Sequence, residues 1–85
     1  MDKRDVLLAH LARAEGQVAI GRENIRRQYR LIAELENEAR DTEEAIVLLK
    51  SLLVLQEQDE KYRDLLRGES RIDVVALKML AGAGK

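Results

Sequence analysis

With 85 residues the chain holds one domain at most, and at this size a core without staples usually gains burial by oligomerising. The absence of cysteine excludes disulfides and thiolate metal sites, which fits a reducing, cytoplasmic-type compartment. Charged residues make up 36% and apolar residues 46% around a net charge of -1, with two tyrosines as the only aromatics: the composition of long helices, without base-stacking rings or a global attraction for polyanions.

At the start of the chain, Lys3 and Arg4 precede Val6, Leu7 and Leu8, and Ala12-Arg13-Ala14 has the outline of a signal-peptide cleavage site. The apolar part is short and contains His10, and a helical pattern runs straight through it, so we read the segment as mature helix. That pattern steps by four and three through Leu7, Leu11, Ala14, Val18, Gly21, Ile25, Gln28, Ile32, Leu35 and Ala39. A period of 3.5 sustained over nearly five heptads is a coiled-coil-like seam, and it predicts a first helix over about 4–39.

The pattern breaks between Asn37 and Asp41. Asp41-Thr42-Glu43-Glu44 reads as a capping box, with Asp41 accepting from the Glu44 N–H, and it starts a second helix over about 42–67. Gly68 is its expected stop. The expected seam of this helix is Ala45, Leu48, Leu52, Leu55, Asp59, Tyr62 and Leu66, flanked by a second row, Ile46, Leu49 and Leu53. Ser70-Arg71-Ile72-Asp73 then predicts a short third helix over about 71–80 with Ile72, Val75, Met79 and Leu80 on its apolar face, ahead of a tail at 81–85. No stretch reaches the roughly 18 apolar residues of a membrane span, so no membrane is expected.

A tight turn near residue 41 would oppose residues whose numbers sum to about 82. Tyr62 then falls opposite Gly21, where a missing side chain leaves room for a ring, and Arg22 and Arg26 fall opposite Glu57, Asp59 and Glu60. The expected fold is therefore all-α: a long antiparallel helical hairpin with a short C-terminal helix. A two-helix hairpin cannot cover the Ile46/Leu49/Leu53 row, and it leaves Val6–Leu11 overhanging. Ile46, Leu49 and Leu53, with Leu7 and Leu11, thus form the candidate interface of a homodimer, a four-helix-type bundle.

Chemistry-bearing motifs are sparse. His10, the single histidine, has no second ligand beside it at metal-binding spacing. The acids around the turn lack calcium-loop spacing. No nucleophile–base arrangement or phosphate loop is written in the chain, so neither catalysis nor a cofactor is expected. Arg22, Arg26, Arg27 and Arg30, with Tyr29 among them, could form an anion or nucleic-acid stripe, but a solvated ionic face is the simpler reading. The expected function is a non-catalytic structural or protein-interaction module acting as a homo-oligomer. The alternative is a small nucleic-acid-binding or regulatory protein that uses the arginines.

The run His10 to Glu15 through Gly21, then Ile25-Arg26-Arg27-Gln28, Leu31 to Glu36, Asp41-Thr42, Leu48-Leu49, Gln56 and Arg63 to Leu66, resembles a group of small uncharacterised bacterial helical proteins frequent in alphaproteobacteria. The resemblance covers residues 10 to 66, implies a similar order of helices, and carries over no functional residue. This chain departs from the group in having Ala39 where the group often has glycine. The run Leu11 to Val18 is also similar to the opening helix of copper- and nickel-sensing repressors, whose metal-ligating cysteine is absent here.

Overall fold

The computed structural model describes residues 2–83, with side chains through Glu69 and at Met79. Two helices make up the fold: α1 over Lys3–Asn37 and α2 over Glu43–Ala83. They lie antiparallel along a rod whose extents are 71 × 22 × 15 Å, two helices wide and one helix deep. The hairpin expectation is met. The third helix is not found: α2 runs without a break through Gly68, and no glycine among the described residues has positive φ. Gly68 is tolerated inside the helix because strong helix formers flank it: Leu65-Leu66-Arg67 on one side, Ala76-Leu77-Lys78-Met79-Leu80 on the other. Together they outweigh its penalty of about 1 kcal/mol. The continuous α2 also carries backbone alongside the start of α1, so Val6–Leu11 is not a bare overhang. The expected cover for it, the face of Ile72, Val75 and Leu80, has side chains outside the described residues.

Local chemistry sets the helix boundaries. The Asp2 carboxylate accepts from the Asp5 N–H at 2.9 Å and caps α1. At the other end Arg40 N–H donates to Leu35 C=O at 2.8 Å and Ala39 N–H to Glu36 C=O at 3.0 Å. These are the paired bonds of a Schellman motif, with Ala39 in its left-handed position at φ 55°. Ala39, expected at the end of the α1 seam, therefore makes the turn instead. The Asp41 carboxylate accepts from the Glu43 N–H at 2.9 Å, two residues on, and not from Glu44 as the capping-box reading had it. Thr42 C=O receives the first intrahelical bond of α2, from Ile46 N–H.

The α1 seam is as read from the sequence. Ala14, Val18, Gln28 and Ile32 are buried, and Leu7, Leu11, Gly21, Ile25 and Leu35 are half-buried. The register differs. Gln56, not Tyr62, lies against Gly21, so opposed residue numbers sum to 77. This offset aligns the α1 seam with Thr42, just before α2, and with Ala45, Leu49, Leu52, Gln56, Asp59, Arg63 and Leu66 of α2; all are buried or half-buried, with Ile46 and Glu60 half-buried at the edge. The expected α2 seam is corrected accordingly: Leu48, Leu55 and Tyr62 are each more than half exposed. The reversal is centred on Glu38 and Ala39, where the left-handed residue lies, rather than on Asp41.

The turn yields a prediction. An alanine in the left-handed region carries a Cβ penalty of roughly 1 kcal/mol that glycine avoids. Ala39→Gly is expected to raise the urea midpoint by the equivalent of about 1 kcal/mol, less a few tenths for the freer unfolded chain. Ala39→Val is expected to lower it.

Candidate functional site

Two polar side chains are buried in the seam, one from each helix. Gln28 Nε2 donates to Ala45 C=O at 2.8 Å, and Gln56 Nε2 donates to Val18 C=O at 2.9 Å. Both glutamines are 7% exposed. Each reaches about one turn toward the N-terminus of the opposing helix. Helix carbonyls there already accept an i+4 amide and have one lone pair to spare. The register sets Ile25 against Leu52 between the two polar layers.

Gly21 makes the Gln56 layer possible. A helical side chain shields the turn on its own N-terminal side, so a bare Cα at 21 uncovers the Val18 carbonyl. A Cβ at Gly21 would overlap the Gln56 carboxamide oxygen, and that oxygen has no hydrogen-bond partner among the described residues. Turning the amide over would set oxygen against oxygen at Val18, so the donor assignment follows from the acceptor it meets. Gly16, by contrast, has open space where its Cβ would be. The amides neither titrate nor act as nucleophiles, and both are tethered to backbone. They hold helices in register.

The arginines form an ionic surface. Arg22 reaches Glu60 at 3.8 Å across the hairpin. Arg26, Arg27 and Arg30 instead converge on Glu23 of their own helix, at 3.2, 3.6 and 3.4 Å. Arg26 was expected to meet the 57–60 acids of α2. Glu57 pairs with Lys61 instead, at 3.1 Å. Each of the four guanidiniums therefore stands within 4 Å of a carboxylate, and all are well exposed, so each pair contributes at most a fraction of a kcal/mol. Near the far end, Arg67 donates twice to Glu15, at 3.0 and 3.1 Å. His10 lines an open hollow of about 400 Å³ with Arg13, Ala14, Gln17, Asp59 and Tyr62. Among the described residues, no three or more acids and histidines come together as a metal site, and no helix is long and apolar enough to cross a membrane.

The candidate interface residues separate. Leu49 is 8% exposed within a single chain and is covered by α1, so it has no free surface to give a second copy. Ile46, Leu7 and Leu11 are half-buried at the hairpin's own seam and its edge. Leu53 remains exposed. The open apolar surface is elsewhere: Leu48, Leu55, Tyr62 and Leu65 are between 51% and 62% exposed, with Val47 and Val54 beside them. Leu48, Ser51, Leu55, Gln58, Tyr62 and Leu65 step by three and four, so α2 bears a second seam-like stripe on its outer side. On α1, Ile20 and Leu31 are also exposed.

Comparison with protein-family models, with curated proteins and with solved structures gives no match.

The residues that sequence reasoning overlooked are Gln56 and Glu23. Gln56 follows Gln28 by four whole heptads, which is a signal for a shared column. Glu23 stands three, four and seven residues before the arginines it gathers, the spacings of one helix face.

Glycine substitutions should separate packing from propensity. Gly16→Ala is expected to stabilise by up to about 1 kcal/mol, the ordinary helix-propensity gain. Gly21→Ala should destabilise in the native chain and stabilise in a Gln56→Ala background. Denaturant melts of the four proteins in that cycle read the change of sign directly. Arg26→Ala with Arg30→Ala should change stability by less than about 0.5 kcal/mol in the same melts.

Proposed function

We propose that the chain is a non-catalytic interaction module that associates with its own kind, two hairpins pairing into a four-helix-type bundle. The observation that carries this reading is the outer stripe of α2, Leu48, Leu55, Tyr62 and Leu65, exposed at coiled-coil spacing. A helix apolar on two faces is ordinarily covered on both, and α1 covers one. Surface area supports the same view. The chain exposes 6813 Å², where a compact monomer of 9.7 kDa would expose about 5,100 Å². Ile20 and Leu31 of α1 extend the stripe sideways. Ser51 and Gln58 within it leave room for close approach and for hydrogen bonds across the contact.

In this assembly the contact lies on α2, Arg22, Arg26 and Arg30 stay outside it, and Arg27 stands at its edge between Ile20 and Leu31. A catalytic role has little to stand on: the hollows are open grooves, and the buried polar groups are tethered amides.

Sedimentation equilibrium tests the proposal. The native chain is expected to be a dimer or larger at micromolar concentration. Leu55→Glu with Tyr62→Glu is expected to be a monomer at low micromolar concentration with unchanged helicity by circular dichroism, because neither residue lies in the hairpin seam. A native chain that sediments as a folded monomer would sink the reading.

A further inference from the structure

The turn and the register together carry a second conclusion. Between Asn37 and Glu43 the chain has no glycine and no proline. Its residues can all enter a helix. Ala39, the best helix former among them, is held instead at φ 55°. One seam column passes through the turn without losing phase: Gln28, Leu35, Thr42, Leu49, Gln56 and Arg63 stand seven apart throughout. A straightened chain would therefore present this column as one stripe, while the column beside it slips by one residue between Ile32 and Ala45, a single stammer at the hinge. Because opposed residues sum to 77, two chains opened at the turn and laid antiparallel about a point between 38 and 39, overwound slightly at the stammer, restore the seam contacts of the hairpin in exchanged form. Gln56 of one copy would meet Gly21 and the Val18 carbonyl of the other, and Gln28 the other's Ala45 carbonyl.

We propose that residues 38–42 are a hinge, and that two copies of this chain exchange helices through it into an antiparallel pair of continuous helices. Exchange is a low-cost route to a dimer because it reuses contacts already selected within one chain. It does not rest on the outer stripe of α2, which is left free in either form. The balance is set by two quantities. A short linker gives the closed hairpin an effective concentration of roughly millimolar. The left-handed alanine disfavours the hairpin by about fivefold per chain. Exchange should then be visible at roughly 40 micromolar. The Asp41 cap on Glu43 favours the closed form.

The test uses a chain carrying Glu15→Cys and Arg67→Cys, positions in contact in the hairpin and exposed. There are no native cysteines to interfere. The protein is unfolded, refolded at stated concentrations, treated with a short bis-maleimide and run on a denaturing gel. Exchange predicts intrachain links at nanomolar concentration and covalent dimers at tens of micromolar. Ala39→Gly should raise the concentration needed by at least tenfold, and Asp41→Ala should lower it. Association through the outer stripe alone leaves the link intrachain at every concentration, and that result overturns the proposal without touching the stripe. A dimer yield unmoved by Ala39→Gly also overturns it, because the turn would then not be the hinge.

Discussion

The fold depends on one contact: the Gln56 carboxamide lying over the bare Cα of Gly21 with its Nε2 on the Val18 carbonyl. In a rod only two helices wide, apolar layers alone specify register weakly. Leucine meets leucine, or alanine isoleucine, with little change in energy after a one-heptad slip. A buried amide is different. Displaced by a turn, it loses its acceptor and takes a desolvation penalty of roughly 1–3 kcal/mol. Displaced by a heptad, it meets a side chain where it had met none. Gln28 imposes the same condition from the other helix. With two such layers enclosing Ile25 and Leu52, the register that satisfies both is narrowly defined. Polar groups in a seam reduce stability and increase uniqueness, the trade known from single polar residues in coiled coils.

Against that background the ionic pairs play a smaller part. Arginine and glutamate side chains are long enough to bridge offsets that core residues cannot. Arg22 with Glu60 and Arg67 with Glu15 both join residues whose numbers sum to 82, five away from the register of the core. Long, flexible and exposed, they adapt to the seam rather than define it. Arg63 is the exception. It occupies a seam position opposite Ala14, its side chain is 12% exposed, and it donates to the neighbouring Asp64 carboxylate. A small residue facing a long cation lets the stem pack while the guanidinium reaches the edge.

Much of the architecture was legible in the chain, and the errors share a physical origin. The α1 seam was readable from Leu7 to Leu35 because the apolar residues on its other faces, such as Ile20 and Leu31, are scattered, so only one unbroken stripe fits the period. The α2 seam was misread because residues 45–55 are apolar on several columns. Periodicity then offers two stripes and cannot say which faces α1. The gap at Gly21 was recognised, but it was assigned to the ring of Tyr62 because the reversal was centred on Asp41. The charge test agreed with that offset for the reason just given: long side chains report a register five residues wide of the core. Ala39 in a left-handed turn is rare enough that its side chain gives no hint, whereas glycine would have. Gly68 misled in the opposite sense, since a glycine after a helix-like run is most often a stop, and here the run continues beyond it. Leu49 was assigned to the outer surface by the same two-stripe ambiguity.

The narrowness of the rod governs how it comes apart. Each layer of the seam rests only on the layer before and the layer after, with no third element to bind distant layers together. Stability in such a body is close to a one-dimensional sum, as in a zipper whose closed end is the turn at Ala39. Opening should begin at the end away from the turn, near Leu7, and halt at each glutamine layer, where advance means breaking a buried hydrogen bond. Amide protection would then rise in steps along α1 toward the turn instead of falling off on both sides of a central core.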